Sequence, residues 1–136
     1  MVRWKTGKIK RGHGPIRREH EFDLQVRVVN YMRSKNFEGS LFDDLLFNGS
    51  AGGIRTSLSQ GKKMKMSGYR KGWPDLLIME PRGEFHGLAI ELKVKGNYGS
   101  PDQKEVIKEL IKRGYFAQIC TGYEEATETI DMYFKL

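Results

Sequence analysis

Gly87-Leu88-Ala89-Ile90-Glu91-Leu92-Lys93-Val94 reads as a strand whose two faces differ in chemistry. Successive side chains on a strand point to opposite faces. Leu88, Ile90 and Leu92 therefore face a core, while Ala89, Glu91 and Lys93 face the other way, so a carboxylate and an ammonium project side by side. The strand is predicted over residues 85–94. Before it, Trp73-Pro74 punctuates the start of another apolar run, Asp75-Leu76-Leu77-Ile78-Met79-Glu80, and Pro81-Arg82-Gly83 makes the turn between them. The two strands are expected to pair as an antiparallel hairpin. Asp75, sixteen residues before Glu91, stands at the mouth where that hairpin splays.

Downstream, Ser100-Pro101-Asp102-Gln103 opens a helix with Ser at the N-cap, Pro at the first helical position and Gln where a capping box wants it. Val106, Ile107, Leu110 and Ile111 continue it to Gly114, residues 115–121 form a strand, and Gly122 leads into an amphipathic helix with Ala126, Ile130, Tyr133 and Phe134. The strand–helix–strand step calls for a parallel crossover. Upstream, Phe22, Val26, Val29 and Met32 predict a helix over 19–35, on which Glu21 and Gln25 share a face, and a short strand is expected over 41–47. Residues 48–72, rich in Gly, Ser and Lys, read as one long irregular excursion, and residues 1–18 as an irregular basic arm ahead of a domain at 19–136. The expected architecture is an α/β layer fold, a small mixed sheet flanked by helices in the order α-β-β-β-α-β-α.

The composition bounds the rest. At 136 residues the chain is one domain, and 38% hydrophobic with 30% charged residues excludes wholesale disorder. No apolar run reaches the roughly 18 residues of a membrane span, and the basic start has no apolar block after it, so a secretory signal is not expected. The single cysteine, Cys120, excludes a disulfide framework or a cysteine-based zinc site within one chain and points to a reducing, cytoplasmic setting. The net charge of +7 is unevenly spread: residues 1–20 hold +6 and residues 51–74 another +6 with no acid, leaving an acidic body of −5. Arg55, Lys62, Lys63, Lys65, Arg70 and Lys71 make up the second segment. Such segments suit a polyanion, because each phosphate neutralised releases counterions; a solvated tail and loop would look the same in composition.

Asp75, Glu91 and Lys93 together have a use in phosphodiester cleavage. Two carboxylates can hold Mg²⁺ or Mn²⁺, whose bound water becomes a stronger acid, and a neighbouring lysine can orient that water or offset charge in the transition state. Glu21 could add another oxygen. A chance Glu-x-Lys arises about once per 300 positions, so on its own it reads as a surface salt pair. The weight lies in the joint order: an acid opening one strand, Glu-x-Lys in the next, and a basic segment directly before both. Gln103 reads equally as a cap or as a group pointing at the site. His13, His20 and His86 form no ligand spacing, Cys120 reads as core, and Tyr115 and Phe116 read as packing.

Asn48-Gly49, Arg55, Gly68, Gly72-Trp73-Pro74-Asp75-Leu76-Leu77, Gly87-Leu88-Ala89-Ile90-Glu91-Leu92-Lys93, Ser100-Pro101-Asp102-Gln103 and Gly114-Tyr115 together resemble the VRR-NUC nucleases of the PD-(D/E)xK endonuclease superfamily. The resemblance spans roughly residues 19 to 135. Small single-domain members occur in phages and bacteria, and the same module ends a Fanconi-anaemia-associated nuclease. The resemblance implies a restriction-endonuclease-like core. It implies Asp75 and Glu91 as metal-binding carboxylates, Lys93 as the catalytic lysine, the Leu92 carbonyl as a further metal ligand, Glu21 as the acid of the first helix, and Gln103 as the helix glutamine near the site. Arg55 and Lys65 match basic positions of the excursion.

A Mg²⁺- or Mn²⁺-dependent endonuclease acting on DNA is thus expected, with branched DNA or Holliday junctions favoured by likeness to resolving enzymes, in the cytoplasm of a host if phage-encoded. One site cuts one strand, so a symmetric junction calls for a two-fold homodimer. The rivals are a non-catalytic DNA-binding module on the same scaffold and an RNA-directed enzyme.

Overall fold

A computed structural model describes residues 20–35, 45–50 and 57–136. The elements are α1 (Glu21–Ser34), β1 (Phe47–Gly49), α2 (Leu58–Met66), β2 (Leu76–Ile78), β3 (Leu88–Lys93), α3 (Pro101–Lys112), β4 (Phe116–Thr121) and α4 (Gly122–Tyr133). The sheet order is β1-β2-β3-β4. The first two pairings are antiparallel, with Leu76 opposite Ile90, and β3 and β4 pair in parallel over six residues. The expected mixed sheet, hairpin and crossover are all present. Among the described residues, no helix is long and apolar enough to cross a membrane.

Alternation along β2 and β3 builds two cores. Leu76, Ile78, Leu88, Ile90 and Leu92 face α1 and α4, where Leu24, Val28 and Met32 meet Ala126, Ile130 and Tyr133. Burying each large side chain contributes about 1.5–3 kcal/mol, so this face supplies most of the stability. Ala89 faces the other way and packs with Val106 and Leu110 of α3. Glu91 and Lys93 share that second face but lie beyond its apolar cover, at the end of β3 where β2 begins.

Three local departures from the sequence reading have physical causes. The excursion contains a helix, α2, opened by a capping box in which Ser57 and Gln60 serve each other's backbone N–H. It buries no residue, so no apolar stripe advertised it; its signal was the cap. The first strand runs Phe47–Gly49, not 41–47. Leu45 and Leu46 precede it, and residues 41–44, like the arm at 1–18, lie outside the described residues. The remaining elements are shorter at their ends than expected, as terminal residues fray.

Gly72 ties the entry of β2 to the start of α3. Its φ is +85°, and a Cβ there would stand 2.5 Å from the Asp102 carbonyl carbon and 2.8 Å from the Gln103 nitrogen. Both neighbours are backbone and cannot swing aside. Gly72→Ala is expected to lower stability by at least about 1–2 kcal/mol from the left-handed backbone alone, with the clash adding to it. Urea denaturation measures this; an unchanged midpoint and slope would contradict the packing.

Candidate active site

Lys93 is the hub. Its ammonium lies 3.3 Å from Glu21 Oε1 on α1 and 3.5 Å from Glu91 Oε1 on its own strand. Lys93 is 7% exposed and Glu91 2%, which rules out the solvated surface pair that Glu-x-Lys alone would suggest. The strand end carries these charges inward because α1 and α3 close over it from either side.

Asp75 sits one residue before β2, and its Oδ2 accepts the Leu92 N–H at 2.7 Å. A strand residue's N–H and C=O point to the same side, so the Leu92 carbonyl is directed toward the Asp75 side of β3. Asp75 Cα–C=O is itself held, its carbonyl accepting the Ser50 N–H at 2.7 Å. Gln103 serves two partners with one amide. Its Oε1 accepts the Ser100 N–H at 2.9 Å, closing the capping box, while its Nε2 donates to Glu91 Oε1. The cap and the inward-pointing reading of Gln103 are therefore both realised.

Glu91 Oε1 receives both Lys93 and Gln103, and Glu91 Oε2 is left buried with no hydrogen-bond partner among the described residues. Burial first, then the nearby Asp75 charge, pushes the Glu91 carboxyl up to about 8. Burial likewise raises Asp75, opposed by the Leu92 N–H. Three carboxylates, from Glu21, Asp75 and Glu91, face one ammonium, so the fully ionised site carries −2. Among the described residues, no three His, Cys, Asp or Glu form a complete metal cage. The donors nonetheless fit a hard divalent ion that keeps several waters: two carboxylates, one with a bare buried oxygen, and a backbone carbonyl on the same side. Glu21 is turned to Lys93 rather than gathered with that pair.

The basic residues lie apart from the carboxylates. Lys62, Lys63 and Lys65 are exposed on α2, and Arg70 and Lys71 are exposed on the turn after it. Lys71 pairs with Asp102 at 3.3 Å. Arg55 and His13 lie outside the described residues. His20, the N-cap of α1 next to Glu21, and His86 are exposed, Cys120 is buried, and Tyr115 and Phe116 pack on His86 and Phe85.

Supporting residues went unassigned in the sequence. Gln25 donates to the Ser50 carbonyl at 3.5 Å, linking α1 to the segment that holds Asp75. Its only signal was a shared helix face with Glu21. Gly72 stood in a quoted motif, yet its contact with α3 is tertiary.

The comparisons with known proteins agree with this fold. The sequence model of the VRR-NUC domain matches residues 15–124. A solved structure of a VRR-NUC domain protein is 37% identical, with a TM-score of 0.71, covering 85% of this chain and 88% of that one. No curated protein matches. The mixed sheet is compatible with a restriction-endonuclease-like core. With the match running through most of its length, this chain belongs to the VRR-NUC family and carries a nuclease-type domain.

Proposed function

We propose that the protein is a divalent-metal-dependent endonuclease that hydrolyses phosphodiester bonds in DNA. The observation that carries this reading is the crowding of buried Glu91 against half-buried Asp75, with a bare oxygen at Glu91 Oε2 and Lys93 directly beside it. Asp75, Glu91 and the Leu92 carbonyl would hold Mg²⁺ or Mn²⁺. Such an ion, when bound, supplies Lewis acidity that acidifies a water and offsets charge on the phosphate.

The chain's own groups do the rest. Gln103 fixes the Glu91 carboxylate in one rotamer, leaving Oε2 pointing away from its partners. Glu21 and Glu91 hold the Lys93 ammonium from two sides, which keeps it aimed. From there Lys93 can donate to the attacking water or to a phosphoryl oxygen as negative charge builds. The basic residues of α2 and of the following turn, with Arg55, are suited to neutralise flanking phosphates. Branched DNA or a Holliday junction as substrate, and a homodimer that would present two sites to it, complete the proposal.

A pure DNA-binding module is the weaker reading. Burying two carboxylates against each other costs stability, and contact with phosphates gains nothing from it.

The direct test is cleavage of labelled duplex, flap, splayed and four-way DNAs with Mn²⁺ and with EDTA. Metal-dependent nicking is expected, and Lys93→Ala should slow it by about 10²–10⁴-fold while sparing Mn²⁺ affinity in calorimetry. Asp75→Ala should weaken Mn²⁺ binding itself. Equal loss of metal affinity in both variants would contradict these roles, and binding without nicking on every DNA would favour the module.

The charge crowding also predicts a pH dependence. Glu91 is raised from 4.5 to about 8 in the folded protein. Between those values the native state holds a proton that the unfolded chain releases, so stability falls as pH rises. Metal-free protein is therefore expected to lose thermal midpoint between pH 5 and pH 8. Mn²⁺ should oppose that loss, and Glu91→Gln should flatten it. A pH-independent midpoint would refute the buried pair.

A further inference from the structure

The charges on α3 are sorted by side. Residues two apart on a helix lie about 200° apart around it, so Asp102 and Lys104 face nearly opposite directions. Asp102 pairs with Lys71, which marks its edge as the one toward the α2 side. The Lys104 stem lies on the other edge: a Cβ on Gly99 would stand 3.5 Å from Lys104 Cγ and 2.6 Å from Ile119 Cδ1 of β4. Lys108 follows Lys104 four residues on along that edge, while Lys112 drifts about 40° further round toward the acids and is taken up by Glu109. Asp102 and Glu109 lie on the opposite edge, where Glu109 also takes up Arg113, and Glu105 stands between, about 60° round from Lys108.

Lys104 and Lys108 are exposed and make no ion pair among the described residues, and the same holds for Lys95. Lys95 stands two residues past Lys93, in the tight turn closed by Asn97 N–H to the Val94 carbonyl. Tyr98, 85% exposed, follows in that connection. From Lys104 to Lys108 the two unpaired lysines span about 6 Å, or about two nucleotide steps of ~3.4 Å along one strand. The site at the end of β3 is thus flanked by the turn of Arg70 and Lys71, tied to Asp102 on one edge of α3, and by Lys95, Lys104 and Lys108 on the other.

We propose that this β4-side edge of α3 is a second phosphate-binding surface that seats one duplex arm of a branched DNA, while α2 seats the arm on the far side of the site. The inference rests on the nuclease reading above and deepens it. A linear duplex reaches one flank at a time, whereas arms diverging from a branch point at the carboxylates reach both. Tyr98, at the start of the second flank, stands where a base unstacked at the branch could rest on its ring.

The test is a binding titration by fluorescence anisotropy, without divalent metal so that nothing is cut, over a series of salt concentrations. The probes are a linear duplex and a four-way junction of equal arm sequence. Three proteins are compared: the parent, the Lys95→Ala/Lys104→Ala/Lys108→Ala variant, and its Lys→Arg counterpart at the same positions. The alanine variant should bind the junction roughly tenfold or more weakly, with its log–log salt slope reduced by about 2 to 3, since each phosphate contact contributes ~0.9. The linear duplex should change far less, and the arginine variant should match the parent. Parental affinity and slope for the junction in the alanine variant would overturn the second surface. Equal losses on both DNAs would overturn its assignment to a separate arm. A parent that binds neither DNA would instead sink the nuclease reading itself.

Discussion

Crowding of like charge at the end of β3 is the constraint around which the molecule is arranged. Glu91 is almost wholly buried, Asp75 raises its proton affinity, and one oxygen of Glu91 has no partner among the described residues. An unsatisfied buried acceptor costs about 1–3 kcal/mol. The protein bears that cost at one place and offsets it with an uninterrupted apolar core on the opposite face of the sheet. Active sites commonly show this exchange of stability for chemistry.

The supports around the cluster come from separate elements, and each is short-range. The Leu92 N–H holds Asp75, Gln103 holds Glu91, and Glu21 holds Lys93. Gln25 and Ser50 hold the segment that bonds the Asp75 carbonyl. Gly72 lets the chain pass against the first turn of α3, so the turn carrying Gln103 packs directly on the segment that leads into Asp75 and β2. A small shift of α3 would thus be felt at both carboxylates. The capping box at Ser100 gives that turn a second anchor, because the amide that orients Glu91 also closes the helix start.

Charge at long range follows the same layout. The α2 side and the β4 edge of α3 are basic, whereas α4 exposes Glu124, Glu125 and Glu128. Glu124 and Glu125 open α4 directly after Thr121, the partner of Lys93, so acid also borders the carboxylate end of the sheet. A polyanion held at the basic flanks would add its charge to the −2 of the fully ionised cluster, strengthening the demand for a cation.

The periodicities and caps of the sequence determined the layers. Leu88, Ile90 and Leu92 could be assigned to a core because strand alternation is local, and Ser100-Pro101-Asp102-Gln103 announced a helix start by its own chemistry. The resemblance named Asp75, Glu91 and Lys93. Other features depended on which elements lie beside one another. That Lys93 is buried between α1 and β3, that Gln103 reaches Glu91, and that Lys104 turns toward β4 while Asp102 turns toward Lys71 are facts of packing. Helix α2 escaped the periodicity reading because it buries nothing, leaving only its cap as a mark. Local sequence encodes φ, ψ and which face is apolar. The burial and proton affinity of a carboxylate are set by neighbours brought in from distant parts of the chain, so only the tertiary structure could decide them.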